Sequence, residues 1–181
     1  MSKLLPPQAE LPVIRTTRLV LRPIILDDAA DVFGYAVDPA VLRYTTGITP
    51  TRVQETESWL RAALDDPETH MWALRPVDDE RVIGALEFGL PSAGTGSIHY
   101  AMGRAYWGRG LMTEAVEAVC QWAFATLKDV HEISTSVVEA NVASARVLEK
   151  CGFIKVGISD ERWEKEPQPV RLVQYRRGRE N

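Results

Sequence analysis

The spacing of apolar and polar positions changes several times along the 181-residue chain, and each change marks an element. Arg18-Leu19-Val20-Leu21-Arg22-Pro23 alternates and stops at proline, which predicts a strand near a sheet edge. Asp27-Asp28 precede an apolar stripe of Ala29, Val32, Phe33 and Ala36, the mark of a short capped helix with acid at its positive end. Asp38-Pro39 breaks it, and a short helical patch over 40–44 and a loop over 45–50 follow. From Thr51 a clearer helix is expected, with Val53, Thr56, Leu60, Ala63 and Leu64 three or four apart, stopping before Asp66-Pro67. The period then shortens to two over 71–74, 82–90 and 97–102. Val82, Gly84, Leu86, Phe88 and Leu90 share one face, and Ile83, Ala85 and Glu87 the other. Both faces are rather apolar, which places this strand centrally in the sheet. The turn-rich residues 91–96 join it to the next strand as an antiparallel hairpin.

A helix from Leu111 to about Leu127 follows, its polar positions Thr113, Glu114, Glu117, Gln121 and Lys128 confined to one narrow sector. Most of its circumference needs cover, so it should pack centrally on the sheet. Residues 132–138 form another strand, Asn141 opens a helix over 142–150, and Gly152 ends it as a left-handed stop. Strands at 154–159 and 172–175 close the chain around a charged loop. No internal repeat appears. The expected organisation is a loose tail over 1–12, which carries three prolines, and a single domain over 13–181.

Composition narrows the function. Hydrophobic residues make up 45% and charged ones 25%, an ordinary globular balance. The net charge of −4 argues against a nucleic-acid partner, which needs a basic face, and leaves room for a cationic substrate such as an amine. Cys120 and Cys151 lie far apart, and with three scattered histidines they make no metal-ligand spacing. Free thiols, no membrane-length apolar run and no signal-like segment before the early prolines together predict a soluble cytoplasmic protein.

The chemistry centres on Tyr106-Trp107-Gly108-Arg109-Gly110-Leu111-Met112-Thr113-Glu114-Ala115, where a strand turns into the central helix. Glycine tolerates positive φ and lacks a Cβ, so a ligand can approach the backbone closely. The free N–H groups of the helix start, with the positive end of its dipole, suit a phosphate or pyrophosphate. Arg109 adds a charge between the glycines. A lone Gly-x-Gly is short and common and by itself reads as an ordinary strand–helix turn. Three further stretches accompany it: Thr17 to Pro23, Asn141-Val142-Ala143-Ser144, and Val147-Leu148-Glu149-Lys150-Cys151-Gly152-Phe153.

Together, in this order and spacing, these stretches resemble the GNAT superfamily of N-acetyltransferases, and within it the Rim-type ribosomal-protein and amine acetyltransferases. The resemblance covers about residues 13 to 176. It implies an α+β acyl-CoA N-acyltransferase fold with a mostly antiparallel central sheet flanked by helices. It also implies direct transfer of acetyl from acetyl-CoA to a primary amine, either a protein N-terminus or a small molecule, without a covalent enzyme intermediate or a metal. The cofactor-binding positions are then Tyr100, Ala101, Met102, Trp107, Gly108, Arg109, Gly110, Met112, Thr113 and Asn141. One position departs from the pattern: where the superfamily often has Gln or Arg three residues before the first glycine, this chain has Ala105, with Arg104 one residue earlier. Backbone N–H groups carry most of such a cradle.

Such a transfer needs a proton acceptor for the amine, an N–H donor for the thioester carbonyl and a proton or a hydrogen bond for the departing thiolate. Splayed strand backbone near Tyr100–Met102 is the candidate donor to the carbonyl. Ser144 is the candidate for the thiolate, and also reads as a solvent-facing residue in a helix's first turn. Glu87, a carboxylate on an apolar strand face, reads either as a structural ion or as the base; Glu161 is a second base candidate. Cys151 reads as a small apolar filler and Trp107 and Tyr106 as packing anchors of the loop. The rival function is a non-catalytic acyl-CoA-binding or sensing module on the same fold. Monomer and homodimer both fit.

Overall fold

A computed structural model of the protein describes residues 5–66 and 70–179. Its strands are β1 (Ile14–Arg15), β2 (Leu19–Pro23), β3 (His70–Pro76), β4 (Gly84–Ser92), β5 (Thr95–Met102), β6 (Glu132–Val138), β7 (Ile154–Glu161) and β8 (Val170–Gly178). Its helices are α1 (Ala29–Ala36), α2 (Pro39–Leu42), α3 (Val53–Asp65), α4 (Leu111–Thr126) and α5 (Val142–Lys150). The strands form one sheet in the order β1-β2-β3-β4-β5-β6-β8-β7. Neighbours are antiparallel except β5 and β6, which run parallel.

Strand alternation divides the core in two. Leu19, Leu21, Trp72, Leu74, Leu86, Phe88 and Ile98 point to the α4 face. Met71, Ala73 and Ala85 point the other way and pack with Ala29, Val32 and Leu60 of α1 and α3. The apolar girth of α4 is used as expected: Leu111, Met112, Ala115, Val116, Val119, Cys120 and Ala123 are all buried. Trp122 meets Trp72 and Phe88 edge-on, with ring centroids 5.1 and 6.0 Å away. The narrow polar sector is also used, since Glu114 pairs with Arg18 and Glu117 with Arg177.

Several expectations are corrected by local chemistry. Asp28 does not cap α1; its carboxylate turns back to Ile25 N–H at 2.9 Å and takes the Arg22 guanidinium at 2.6 and 2.8 Å. Asp38 does cap, accepting Ala40 N–H at 3.0 Å, so α2 begins at Pro39 and stops at Leu42. Thr51 lies just outside α3, its N–H and hydroxyl held by the Glu55 carboxylate. Pro67, expected as the stop of α3, lies outside the described residues. Strands β3, β7 and β8 run beyond their apolar segments because antiparallel partners hold their backbones there.

Within the segment expected to be a loose tail, Gln8 exchanges hydrogen bonds with the Met71 backbone at 2.7 and 2.9 Å, and Leu11 is buried. At the other end of the sheet, Lys165 in the loop between β7 and β8 donates to Leu42 O and Gly47 O at 2.8 and 3.0 Å.

Candidate active site

The sheet parts at its single parallel junction. β5 and β6 pair only over Thr95–Ser97 and Glu132–Ser134, and the Thr135 hydroxyl donates to Ile98 O at 2.7 Å just beyond. Gly103 N–H donates to Ile83 O at 2.8 Å, which fixes the phase of the β4–β5 ladder. Antiparallel alternation then turns the backbone groups of Ala101 and His99 toward β4, and those of Ile98, Tyr100 and Met102 toward β6. Trp107 Nε1 donates to Met102 O at 2.6 Å. The N–H groups of Tyr100 and Met102 are left facing the gap. Trp107, read from sequence as a packing anchor, is 46% exposed and anchors the loop through its indole N–H.

The glycine turn lies at the head of α4. Gly108 and Gly110 have φ of +73° and +75°, the left-handed region that costs other residues about 1–2 kcal/mol. A Cβ on Gly108 would meet nothing within 4 Å, so the turn is open on that side. Among the described residues, no backbone acceptor takes an N–H between 108 and 113, and the first inward bond is Glu114 N–H to Gly110 O at 3.1 Å. The Met112 side chain is buried in the core, so only its backbone faces the turn. The Arg109 guanidinium lies over the Tyr106 ring, 5.6 Å from its centroid.

Tyr100, Ser144 and Asn141 come together on the α4 and α5 side of the gap. Asn141 caps α5 by accepting Ser144 N–H at 3.2 Å. Ser144 Oγ lies 2.8 Å from the Tyr100 hydroxyl, with either able to donate, and Ser144 O at 3.3 Å is the alternative acceptor for the single phenol proton. Ser144 is therefore half-buried and held rather than turned to solvent. Burial pushes the Tyr100 phenol well above its ordinary range, although the bond to Ser144 opposes the shift. It stays neutral at working pH. While the phenol donates to Ser144 Oγ, the serine proton is free for a third partner in the gap.

Glu87 lies elsewhere. It pairs across the ladder with Met71 and His99, on the sheet face of α1 and α3, opposite Tyr100 and Ser144. Glu161 sits at the exposed end of β7. Cys151 is buried, its Sγ donating to Thr113 O at 3.4 Å, and burial pushes its thiol up to about 11 and that of Cys120 to about 12. Neither is a nucleophile at neutral pH. Among the described residues no cluster of His, Cys, Asp and Glu is placed to hold a metal, and no helix is long and apolar enough to cross a membrane.

Two features escaped the sequence. One is the Tyr100 phenol, noted there only for its backbone. The other is Arg18, whose guanidinium reaches Glu114 at 2.7 Å and Arg109 O at 2.8 Å. Tyr100 falls in the strand over 97–102 and Arg18 in the stretch from Thr17 to Pro23, but their partners are 44 and 96 positions away.

Comparison with known proteins agrees with this arrangement. The sequence profile of the acetyltransferase (GNAT) domain matches residues 18–154. The chain is 30% identical over 149 residues to the uncharacterized N-acetyltransferase p20 of Bacillus licheniformis, covering 79% of this chain and 83% of that one. Its fold is similar to that of a GNAT-family acetyltransferase from Bacillus anthracis, with a TM-score of 0.82, 20% identity and coverage of 92% and 98%. It is also similar to the spermidine N-acetyltransferase of Vibrio cholerae, solved with CoA and spermine, with a TM-score of 0.77, 15% identity and coverage of 90% and 96%. A profile match over most of the chain, on a sheet that parts beside a glycine turn, is sufficient: the chain belongs to the GNAT acetyltransferase family and is an acyltransferase.

Proposed function

We propose that the protein moves acetyl from acetyl-CoA to a primary amine by direct transfer in a ternary complex, and that it belongs to the Rim-type subgroup. The observation that carries this reading is the row of open N–H groups at the glycine turn, beside a strand edge whose Tyr100 and Met102 N–H groups face the same gap. A pyrophosphate suits the turn, because unmatched N–H donors and the α4 dipole both favour an anion. A pantetheine arm carries amides that can pair with the parted edge as an added strand would.

In this reading, residues 108–113 receive the pyrophosphate through the backbone and Asn141 meets the pantetheine arm while capping α5. Ser144, held by Tyr100, donates a hydrogen bond to the departing thiolate, which keeps the negative charge until solvent protonates it. Deprotonation of the amine falls to Glu87, reached from the opposite face of the sheet, or to Glu161 or a water chain. The net charge of −4 suits a cationic acceptor. The V. cholerae relative was solved with spermine, which makes polyamines a first class of acceptor to try, beside N-terminal peptides. The test is a mass-spectrometric acetylation screen with acetyl-CoA over polyamines, amino acids and N-terminal peptides. Catalytic acetylation of one amine class supports the reading. CoA binding without transfer to any amine would favour the sensing module instead.

A further inference from the structure

We propose that Arg18 is a positioning residue for the glycine cradle: by holding the Arg109 carbonyl, it turns the Gly110 N–H toward the bound pyrophosphate. The proposal rests on the acetyl-CoA reading above. In a trans peptide the C=O and N–H of one unit point in opposite directions. Arg18 Nη1 donates to Arg109 O at 2.8 Å, so the N–H of the same unit, that of Gly110, faces away from Arg18. The next unit is gripped likewise, because Glu114 N–H takes Gly110 O and leaves Leu111 N–H pointing outward.

The grip is needed because of the glycine itself. Gly110 adopts positive and negative φ with similar ease, so the backbone freedom that builds the turn also permits the peptide between Arg109 and Gly110 to flip. A flip would present a carbonyl oxygen, rather than an N–H, to an anionic ligand. Arg18 opposes it from a fixed base. Its N–H and Nε both donate to the Glu114 carboxylate, at 2.8 and 2.7 Å, and its own carbonyl takes Val77 N–H at 3.1 Å beside β2. Glu114 thus aims the guanidinium and, through its own N–H, fixes the second unit of the turn.

The test is isothermal titration of CoA into the wild-type protein, Arg18→Ala and Glu114→Gln, with the Gly110 amide followed by NMR. Positioning predicts a loss of about 10- to 100-fold in CoA affinity for both variants, the scale of one hydrogen bond to a charged group. It also predicts a Gly110 amide proton that shifts strongly on CoA addition in the wild type and weakly in the variants. Glu114→Gln decides the matter if Arg18→Ala does not fold. Its removal of a negative charge should strengthen binding of an anion if Arg18 acted only through charge. Tighter or unchanged binding by folded Glu114→Gln would therefore overturn the proposal. A wild-type protein that does not bind CoA would overturn the acetyl-CoA reading itself, and this proposal with it.

Discussion

Ser144 has the shortest argument at the scale of single residues. It was legible because its contact with Asn141 is local, three residues along a helix start, where Asn is a favoured cap. The Tyr100 hydroxyl was not legible, because nothing in a strand's alternation says which hydroxyl waits across a sheet gap. In the proposed role, a hydroxyl that hydrogen-bonds the leaving sulfur matters most as charge builds on it, so its loss belongs in kcat rather than KM. Ser144→Ala is expected to lower kcat by about 10²–10³-fold at most, by analogy with a lost oxyanion donor, and to leave acetyl-CoA affinity nearly intact. Steady-state rates across pH check this, and full kcat at every pH would return Ser144 to a capping-turn residue. Glu87→Gln is expected to move the pH profile, because it removes a proton acceptor. An unchanged profile would pass the role to Glu161 or to water. Cys151, by contrast, reads from sequence as a small apolar filler, and its burial agrees.

Elements were legible in proportion to their length. The sixteen residues of α4 carry several turns of pattern, and α5 has a cap at Asn141 and a left-handed stop at Gly152 with φ of +74°. β1, two residues long, has no period to read. The parallel pairing of β5 with β6 was equally hidden, since alternation within a strand says which face is buried but not which neighbour lies alongside. Two glycines test the elements they join. Gly110→Val should weaken CoA binding with little loss of fold: a left-handed turn costs a β-branched residue about 1–2 kcal/mol or more, small against a typical 5–15 kcal/mol of stability. If this variant bound CoA like the wild type, the cradle would lie elsewhere. Gly96→Ala should do the reverse. Its Cβ would stand 2.5 Å from Phe88 Cζ, a fully buried ring, at the start of the parallel junction. Overpacking of this kind costs about 1–3 kcal/mol, and chemical denaturation of the purified variant measures it.

On the scale of the whole molecule, the order of elements was readable from the pattern, whereas the splayed backbone near 100–102 was expected from the chemistry and not from strand alternation. A ligand that binds only the folded protein stabilises it by mass action, by about 2.7 kcal/mol at a hundredfold excess over Kd. For a domain of this size that raises the melting midpoint by roughly 5–10 °C, at about 2–4 °C per kcal/mol. Flat melting curves at millimolar acetyl-CoA would sink the binding claim. The parted junction has one more consequence. On one side of it stand Tyr100 and Ser144; on the other, His99 and Ser136 are exposed to water. The direct transfer proposed above would bring acetyl-CoA and the amine to this junction together, so that neither must leave before the other enters. Traffic of that kind appears in initial-velocity plots as intersecting lines, whereas release of CoA before the amine binds, with the acetyl group held on the enzyme, gives parallel ones.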